Sequence, residues 1–272
     1  MERILVVGLK EVDAGKTTLT LALLDYLRGK GLDVCGFKPR AGNNLWYDFD
    51  VLEEALSRGT LYGKDAKLLH QASHTSLPVE VVNPVHRIWG EPTLQRSLSL
   101  LPPFILDRIT LCGEKTETIL VENISAASDS RLEELWKGLR SRASKVYRVR
   151  DGEGQDSLME YYNLASDLAY KRVGEAHEVV VIESYGNIAL PWPGLRKLDL
   201  VLAVEPSRLL AYDPDKYLTA VQLSRKLQGE ISTGEVVRLI KPQREMWIPP
   251  LKRGEVEKKL REDVLPFFGI PD

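Results

Sequence analysis

The sequence has few cysteines, no excess of basic residues and no long hydrophobic run. Its 272 residues include two cysteines, Cys35 and Cys112, without CxxC spacing or nearby histidines, which argues against a disulfide framework or a zinc site and favours buried, reduced thiols. The 37 Lys and Arg against 39 Asp and Glu provide no basic field for nucleic acid. No stretch reaches the roughly 18 to 20 apolar residues of a membrane span. We therefore expect a cytoplasmic protein that binds neither nucleic acid nor membrane.

Apolar, strand-like runs alternate with amphipathic helical segments along most of the chain. This alternation is typical of an α/β fold, with a doubly wound, mainly parallel sheet covered by helices on both faces. We expect a single domain over residues 1–272. Strands are predicted at 3–7, 33–38, 118–123, 145–149, 177–183, 198–204 and 235–239, and helices at 17–28, 131–144, 158–172, 214–227 and 254–265.

The segment from about 41 to 103 departs from this alternation. Two short helices are predicted within it, at 49–58 and 64–70, followed by a stretch with Pro78, Pro84 and Pro92. Loops this elaborate on an α/β sheet usually build the functional site.

The first predicted strand leads into a candidate phosphate-binding loop. Residues 8–24 read GLKEVDAGKTTLTLALL, so GKT opens a helix directly after a strand and a turn, as a phosphate loop requires. Backbone N–H groups of a first helical turn attract anions, Lys16 would reach the terminal phosphates, and the Thr17 hydroxyl would face Mg²⁺. Gly8 and Gly15 enclose six residues instead of the usual four, and an ordinary turn with a solvated lysine is the alternative. The predicted nucleotide-binding residues are Gly8, Asp13, Ala14, Gly15, Lys16, Thr17 and Thr18.

Four further motifs follow the phosphate loop in order. They are Phe37-Lys38-Pro39, Lys64-Asp65-Ala66-Lys67-Leu68-Leu69, Val82-Asn83-Pro84 and the strand end Val181-Ile182-Glu183 with the turn Ser184-Tyr185-Gly186-Asn187. With these motifs the chain resembles the dethiobiotin synthetase family, within the wider group of cobyrinate-synthase-like P-loop ATPases. The resemblance implies a P-loop fold of the dethiobiotin synthetase type.

The resemblance also implies roles for particular residues. Thr17, Asp65 and Glu183 would hold Mg²⁺, and Lys16 and Lys38 would be catalytic residues that bracket the transferred phosphate and a carboxylate or carbamate nucleophile. Other interpretations stay open at this point. Asp65 could be a first-turn carboxylate favoured by the helix dipole, Glu183 a structural ion pair, and Lys38 a surface strand end.

The predicted substrate-binding residues combine Lys38, which matches the family motif, with residues of segments that depart from the family pattern. The turn Ser184-Tyr185-Gly186-Asn187 stands where the family has a glycine-rich turn. Arg40 adds a guanidinium after Lys38, and this group favours an acidic substrate held bidentately. The predicted set is Lys38, Arg40, Asn43 and Tyr185. Asp48 or Asp50 is more simply a helix N-cap, and Glu122 is a weaker site candidate.

Two functional hypotheses follow. The first is a Mg²⁺-dependent ATPase, a ligase-like enzyme that activates a small acidic metabolite; the second is a nucleotide-gated regulatory or binding protein that hydrolyses ATP or GTP to switch a partner surface. By the resemblance, residues 205–207 and 241–250 would hold the base, and the protein would be a homodimer. The sequence itself does not choose between ATP and GTP.

Overall fold

A computed structural model describes residues 1–90, 104–126, 130–150, 155–224, 230–250 and 252–267. Part of the predicted loop region, including Pro92, and the end of the helix predicted at 214–227 lie outside these residues. The strands are β1 (Glu2–Gly8), β2 (Val34–Phe37), β3 (Arg40–Asn44), β4 (Val85–Trp89), β5 (Phe104–Cys112), β6 (Thr116–Asn123), β7 (Lys145–Val149), β8 (Val179–Glu183), β9 (Leu200–Glu205), β10 (Arg208–Tyr212) and β11 (Arg244–Trp247). The helices are α1 (Lys16–Gly29), α2 (Phe49–Ser57), α3 (Lys64–Ser73), α4 (Val79–Val82), α5 (Ser130–Arg142), α6 (Gln155–Ala176), α7 (Pro214–Leu223), α8 (Thr233–Val237), α9 (Arg253–Lys259) and α10 (Leu265–Phe267), with a π-helical turn at Leu260–Val264.

The chain divides into two compact units. The single domain over residues 1–272, with an elaborated loop region, stays a prediction. Unit 1 comprises Met1–Pro39, Leu68–Ser76 and Val173–Asp272, and unit 2 comprises Arg40–Lys67 and Leu77–Arg172. Each unit has its own sheet. The strands predicted at 118–123 and 145–149 do not extend the first sheet, because they pair with each other in the second one.

The sheet of unit 1 has the strand order β11-β10-β9-β1-β8-β2. Strands β2, β8, β1 and β9 are parallel, while β10 and β11 are antiparallel additions at one edge. The sheet is thus mixed: its β9-β1-β8-β2 part is parallel, as expected, and its β10-β11 edge is antiparallel. The parallel part nevertheless brings the carboxyl ends of β1, β2 and β8 to one edge of the sheet, which is where α/β proteins bind ligands.

The core of unit 1 explains why successive residues of β1 are apolar. Ile4 and Val6 pack with Leu19 and Leu23 of α1 in one cluster, and the intervening Leu5 is also fully buried. A strand buried on both faces needs apolar residues at successive positions.

Unit 2 contains a mixed five-stranded sheet in the order β3-β4-β5-β6-β7. Alternate residues of β6 pack in different clusters: Leu120 lies with Trp136 of α5, and Ile119 and Val121 lie with Tyr162 of α6. Helices therefore cover both faces of this sheet. Strands β3 and β4 were not predicted, because their polar residues lack the apolar pattern of a buried strand.

A fully buried guanidinium ties together several segments of unit 2. Arg108, on β5, donates hydrogen bonds to Leu61 O at 2.8 Å, Asn83 O at 2.6 Å, Pro84 O at 3.2 Å and Thr110 Oγ1 at 2.5 Å. Burial lowers the pKa of Arg108 to about 10. Hydrogen bonds to backbone carbonyls and to a hydroxyl therefore replace water around the charged Arg108 side chain.

One predicted element is wrong: residues 235–239 do not form a strand. Ser232 and Glu235 form a capping box, in which the Ser232 side chain accepts from Glu235 N and the Glu235 side chain accepts from Ser232 N. These bonds satisfy donors at a helix start, so α8 begins at Thr233. The edge strand comes later, at β11.

Both cysteines are free and buried, as the sequence predicted. Burial, the largest cause, raises the pKa of Cys35 to about 12 and that of Cys112 above its ordinary value. Within the part of the chain that the structure describes, no helix has the length and apolar character needed to cross a membrane.

Candidate functional site

The candidate phosphate loop runs from Gly8, the last residue of β1, to Gly15. Two of its residues have left-handed backbone angles, with φ of 52° at Asp13 and 93° at Gly15. The loop folds tightly over Gly8, since a Cβ built there would lie 2.9 Å from Lys16 Nζ and 3.0 Å from Ala14 Cβ and Lys10 O. Glycine at position 8 therefore gives the space in which the lysine and the loop backbone come together.

Helix α1 begins directly after this loop without a side-chain cap. Gly15 is at the N-cap position with no capping hydrogen bond, and the first turn holds no acidic residue. The orphan N–H groups and the positive end of the helix dipole are thus not neutralised by a carboxylate of the helix's own first turn. An anion such as a phosphate is the group that such a helix start accepts.

Lys38 and Glu183 meet because of the register between two parallel strands. Phe37 pairs with Ile182 in the ladder of β2 and β8, so the next residues, Lys38 and Glu183, stand side by side. Lys38 Nζ lies 2.5 Å from Glu183 Oε1, and the two side chains are 5% and 0% exposed. The interpretation of Lys38 as a surface strand end is therefore wrong. Glu183 forms an ion pair with Lys38, and a metal role for Glu183 stays a prediction.

Thr17 completes this cluster from the first turn of α1. Its hydroxyl donates to Glu183 Oε1 at 2.9 Å, so one carboxylate oxygen receives both the hydroxyl and the ammonium. The other oxygen, Glu183 Oε2, is buried and has no hydrogen-bond partner among the residues that the structure describes. An unsatisfied buried carboxylate oxygen costs free energy, and a cation is the natural group to satisfy it.

The cluster fits Mg²⁺ by the chemistry of its donors. Mg²⁺ takes hard oxygen ligands, often one or two carboxylates together with waters and substrate phosphates, and Glu183 Oε2 and the Thr17 hydroxyl are such oxygens. No group of three or more His, Cys, Asp or Glu side chains suited to a metal occurs among the described residues. Any ion held here would therefore take much of its coordination from water and nucleotide.

The turn after β8 contacts the phosphate-loop lysine. Lys16 Nζ donates to Gly186 O at 2.6 Å. The same turn is tied to the segment before α8, because Thr233 N donates to Asn187 O at 2.6 Å and Ala189 N donates to Ile231 O at 2.9 Å. The turn therefore links the phosphate loop to the start of α8.

Tyr185, a predicted substrate residue in this turn, donates its hydroxyl to Glu230. Its neighbour Ser184 donates its hydroxyl to Ile188 O at 2.7 Å. Both side chains thus hydrogen-bond within unit 1, and substrate binding by Tyr185 stays a prediction.

The remaining predicted site residues lie in unit 2. Arg40, on β3, donates to Asn163 Oδ1 at 2.8 Å and stands over the Tyr162 ring, with its guanidinium carbon 5.4 Å from the ring centroid. Asn43 is buried on the same strand, and Asp65 lies in the first turn of α3. Substrate binding by Arg40 and Asn43, and the metal role of Asp65, stay predictions.

The weaker site candidates are Asp48, Asp50, Glu122 and the segments proposed to hold the base. Asp48 is at the N-cap position of α2 without a side-chain cap bond, and Asp50 is in the first turn. Glu122 forms salt bridges with Arg140 and Arg148, and its role in a site stays a prediction. The proposed base-binding segments meet in unit 1, where Ile248 N donates to Ser207 O at 2.7 Å, and their role with a base stays a prediction.

Sequence reasoning missed the contact between Lys16 and Gly186, because a backbone acceptor has no signature in the side-chain pattern. It also left open the pairing of Lys38 with Glu183. A signal for that pairing was present. Lys38 directly follows one apolar strand and Glu183 ends another, and the carboxyl ends of parallel strands lie at the same edge of a sheet.

Comparison with known proteins adds a distant relationship to this geometry. The chain is similar to ATP-dependent dethiobiotin synthetases. It is 29% identical to ATP-dependent dethiobiotin synthetase BioD 2 of Escherichia coli K12 over 122 residues, which are 45% of this chain and 48% of the relative. Identity to the protein of the same name from Salmonella typhimurium LT2 is 25% over 122 residues, with the same shares. The chain thus spans about half the length of the curated relatives it matches, and no protein-family model matches it.

The tight packing over Gly8 gives a testable expectation. In Gly8→Ala the new methyl group would meet Lys10 O, a backbone atom, at 3.0 Å, so the loop has to shift and Lys16 moves with it. We expect ATP to bind about tenfold more weakly, the loss of roughly one optimised charged hydrogen bond, measured by isothermal titration calorimetry. Gly138→Ala is the matched control, because a Cβ there meets nothing within 4 Å; equal ATP affinity of the two variants would contradict the expectation.

Proposed function

We propose that the chain is a Mg²⁺-dependent P-loop ATPase that phosphorylates a small carboxylate or carbamate substrate, in the manner of an ATP-dependent ligase. The observation that carries the proposal is the buried cluster at the strand ends, where Thr17 and Lys38 both contact Glu183 Oε1 at 2.9 Å and 2.5 Å. The similarity to ATP-dependent dethiobiotin synthetases supports the use of ATP. The carboxylate or carbamate substrate is proposed in addition to the use of ATP.

The chain's own residues divide the work of phosphoryl transfer. The N–H groups at the start of α1 and the Lys16 ammonium bind the terminal phosphates, which requires Lys16 to exchange Gly186 O for phosphate oxygen. Glu183 and the Thr17 hydroxyl would hold Mg²⁺, which would supply positive charge where negative charge develops on the phosphates. Lys38 orients the anionic nucleophile beside the phosphate, and this positioning supplies most of the rate acceleration in such reactions.

The test is ATP hydrolysis with a panel of small mono- and dicarboxylates, and of amines with bicarbonate as carbamate sources. We expect at least one of these compounds to stimulate hydrolysis. Lys38→Met should lose this stimulation while ATP binding persists, since the ammonium that orients the nucleophile is removed. Absence of ATP binding by the parent chain would overturn the proposal.

A second candidate function, a nucleotide-gated switch, has an observation of its own. Lys16 donates to Gly186 O at 2.6 Å, and the same turn is hydrogen-bonded to the start of α8 through Asn187 and Thr233. Movement of Lys16 onto a phosphate would release this turn, which is the kind of order change that GTPase-type switches use. Hydrolysis stimulated only by a macromolecule, and unchanged in Lys38→Met, would favour this candidate.

The oligomeric state is part of the same proposal. A homodimer is expected by analogy with the resembled family, and light scattering of the purified chain tests it.

A further inference from the structure

Glu183 is a fully buried carboxylate with an uneven set of partners. Its Oε1 accepts from Thr17 at 2.9 Å and from Lys38 at 2.5 Å, while its Oε2 has no hydrogen-bond partner within the described part of the chain. The pair is also almost closed to solvent, with Lys38 5% and Glu183 0% exposed. In this state the Lys38 ammonium is a counter-ion of Glu183.

A divalent cation at Glu183 changes this balance. The cation and the ammonium are then held by one carboxylate group, and in a buried site their repulsion is weakly screened by water. One negative charge does not neutralise three positive charges, so each cation weakens the attraction of Glu183 for the other. The carboxylate is thereby a shared site for two competing cations.

We propose that Lys38 and the divalent cation exchange on Glu183, so that Lys38 becomes available to an anionic substrate only after the cation has bound. This inference rests on the proposed function for the identity of the substrate, but the exchange itself concerns Lys38, Glu183 and the cation. Release of the Lys38 ammonium is then coupled to loading of the metal. Binding is then ordered: the metal with its nucleotide comes first, and the acidic substrate second.

The order has a chemical benefit for a phosphotransferase. Before the cation arrives, the ammonium is neutralised and the substrate subsite has little attraction for anions. After the exchange, the positive charge of Lys38 faces the nucleophile beside the phosphate, where it stabilises developing negative charge. The acidic substrate therefore binds tightly only to the protein that already holds the cation and can react.

The first experiment measures affinity for Mn²⁺, from the free-ion EPR signal, with and without saturating ADP. Lys38→Met removes the competing ammonium at similar side-chain length, and we expect it to bind Mn²⁺ at least about tenfold more tightly than the parent chain, given the size of one charge interaction in a partly buried site. Lys197→Met is the matched control, because Lys197 is an exposed lysine of unit 1, and its affinity should equal that of the parent. Equal or weaker Mn²⁺ binding by Lys38→Met overturns the exchange.

A second measurement uses the parent chain and covers the case in which Lys38→Met fails to fold. The ammonium signal of Lys38 is followed by ¹⁵N NMR of lysine side chains, assigned by its loss in Lys38→Arg. Addition of Mg²⁺ and ADP should shift or broaden this signal and leave that of Lys197 unchanged. A Lys38 signal that is unaffected by Mg²⁺ at saturation overturns the exchange.

The two proposals fail in different ways. A chain that binds no ATP or ADP, but shows tighter Mn²⁺ binding in Lys38→Met, retains the exchange and loses the proposed function. A chain that binds ADP, with equal Mn²⁺ affinity in parent and Lys38→Met, retains the proposed function and loses the exchange.

Discussion

Replacing Lys16 by methionine is expected to lower ATP turnover by about 10²- to 10³-fold, the effect of removing one preorganised donor from a transition state with developing charge. Lys16 follows the loop glycine Gly15 at the start of α1, and its ammonium already stands within 2.6 Å of a backbone oxygen, Gly186 O. Methionine keeps the length of the side chain and removes its charge. Steady-state hydrolysis with saturating ATP and Mg²⁺ measures the effect, and calorimetry shows the accompanying loss of ATP affinity.

The matched control for this change is Lys30→Met. Lys30 is an exposed lysine at the opposite end of α1, where it is the C-cap residue, so the substitution removes the same charge from the same helix. We expect its turnover to match that of the parent chain. Normal ATP turnover in Lys16→Met would show that the loop does not bind terminal phosphates.

Replacing Arg108 by methionine is expected to lower the free energy of unfolding by about 3 to 5 kcal/mol, as when a partner is removed from a buried polar network. The guanidinium satisfies Leu61 O, Asn83 O and Pro84 O in unit 2. Methionine fills much of the same volume, but it leaves these carbonyls without the donors that Arg108 provides. The shift in the midpoint of urea unfolding, followed by circular dichroism, measures the loss.

Two further variants separate charge from geometry at this position. Arg108→Lys keeps the charge, but a single ammonium cannot replace the planar fork of donors, so we expect most of the loss to remain. Arg172→Met is the control, since Arg172 is exposed and surface changes are usually within about 0.5 kcal/mol. An unfolding midpoint of Arg108→Met equal to that of Arg172→Met would contradict the structural role of this side chain.

The secondary structure of unit 1 was predictable where apolar periodicity is strong. The helix predicted at 17–28 and the strand at 3–7 match α1 and β1 closely, because consecutive buried residues and helical spacing are local signals. The strand predicted at 235–239 failed for a local reason too. A run of Val-Val-Arg-Leu looks like a strand, but the capping box of Ser232 and Glu235 starts a helix before it.

The second sheet was harder to predict. Strand β3, with the sequence Arg-Ala-Gly-Asn-Asn, has no apolar alternation, and its pairing with β4 is parallel. Parallel pairing depends on residues far apart in the chain, so the sequence pattern of one strand contains little information about it. For the same reason the division into two units was not visible in composition or linkers.

What the sequence by itself determined is the chemistry of the candidate site: a lysine and a threonine at a helix start after a glycine-bounded loop, and a lysine and a glutamate at the ends of apolar strands. These are local patterns, readable from residue type and spacing. Tertiary structure alone decided which of them touch. The register of β2 against β8 sets Lys38 beside Glu183, and the packing of α1 on the sheet brings the Thr17 hydroxyl to the same carboxylate oxygen. Burial then turns a pair of opposite charges into a site that retains one unsatisfied oxygen, since buried polar groups depend on protein partners where water is excluded.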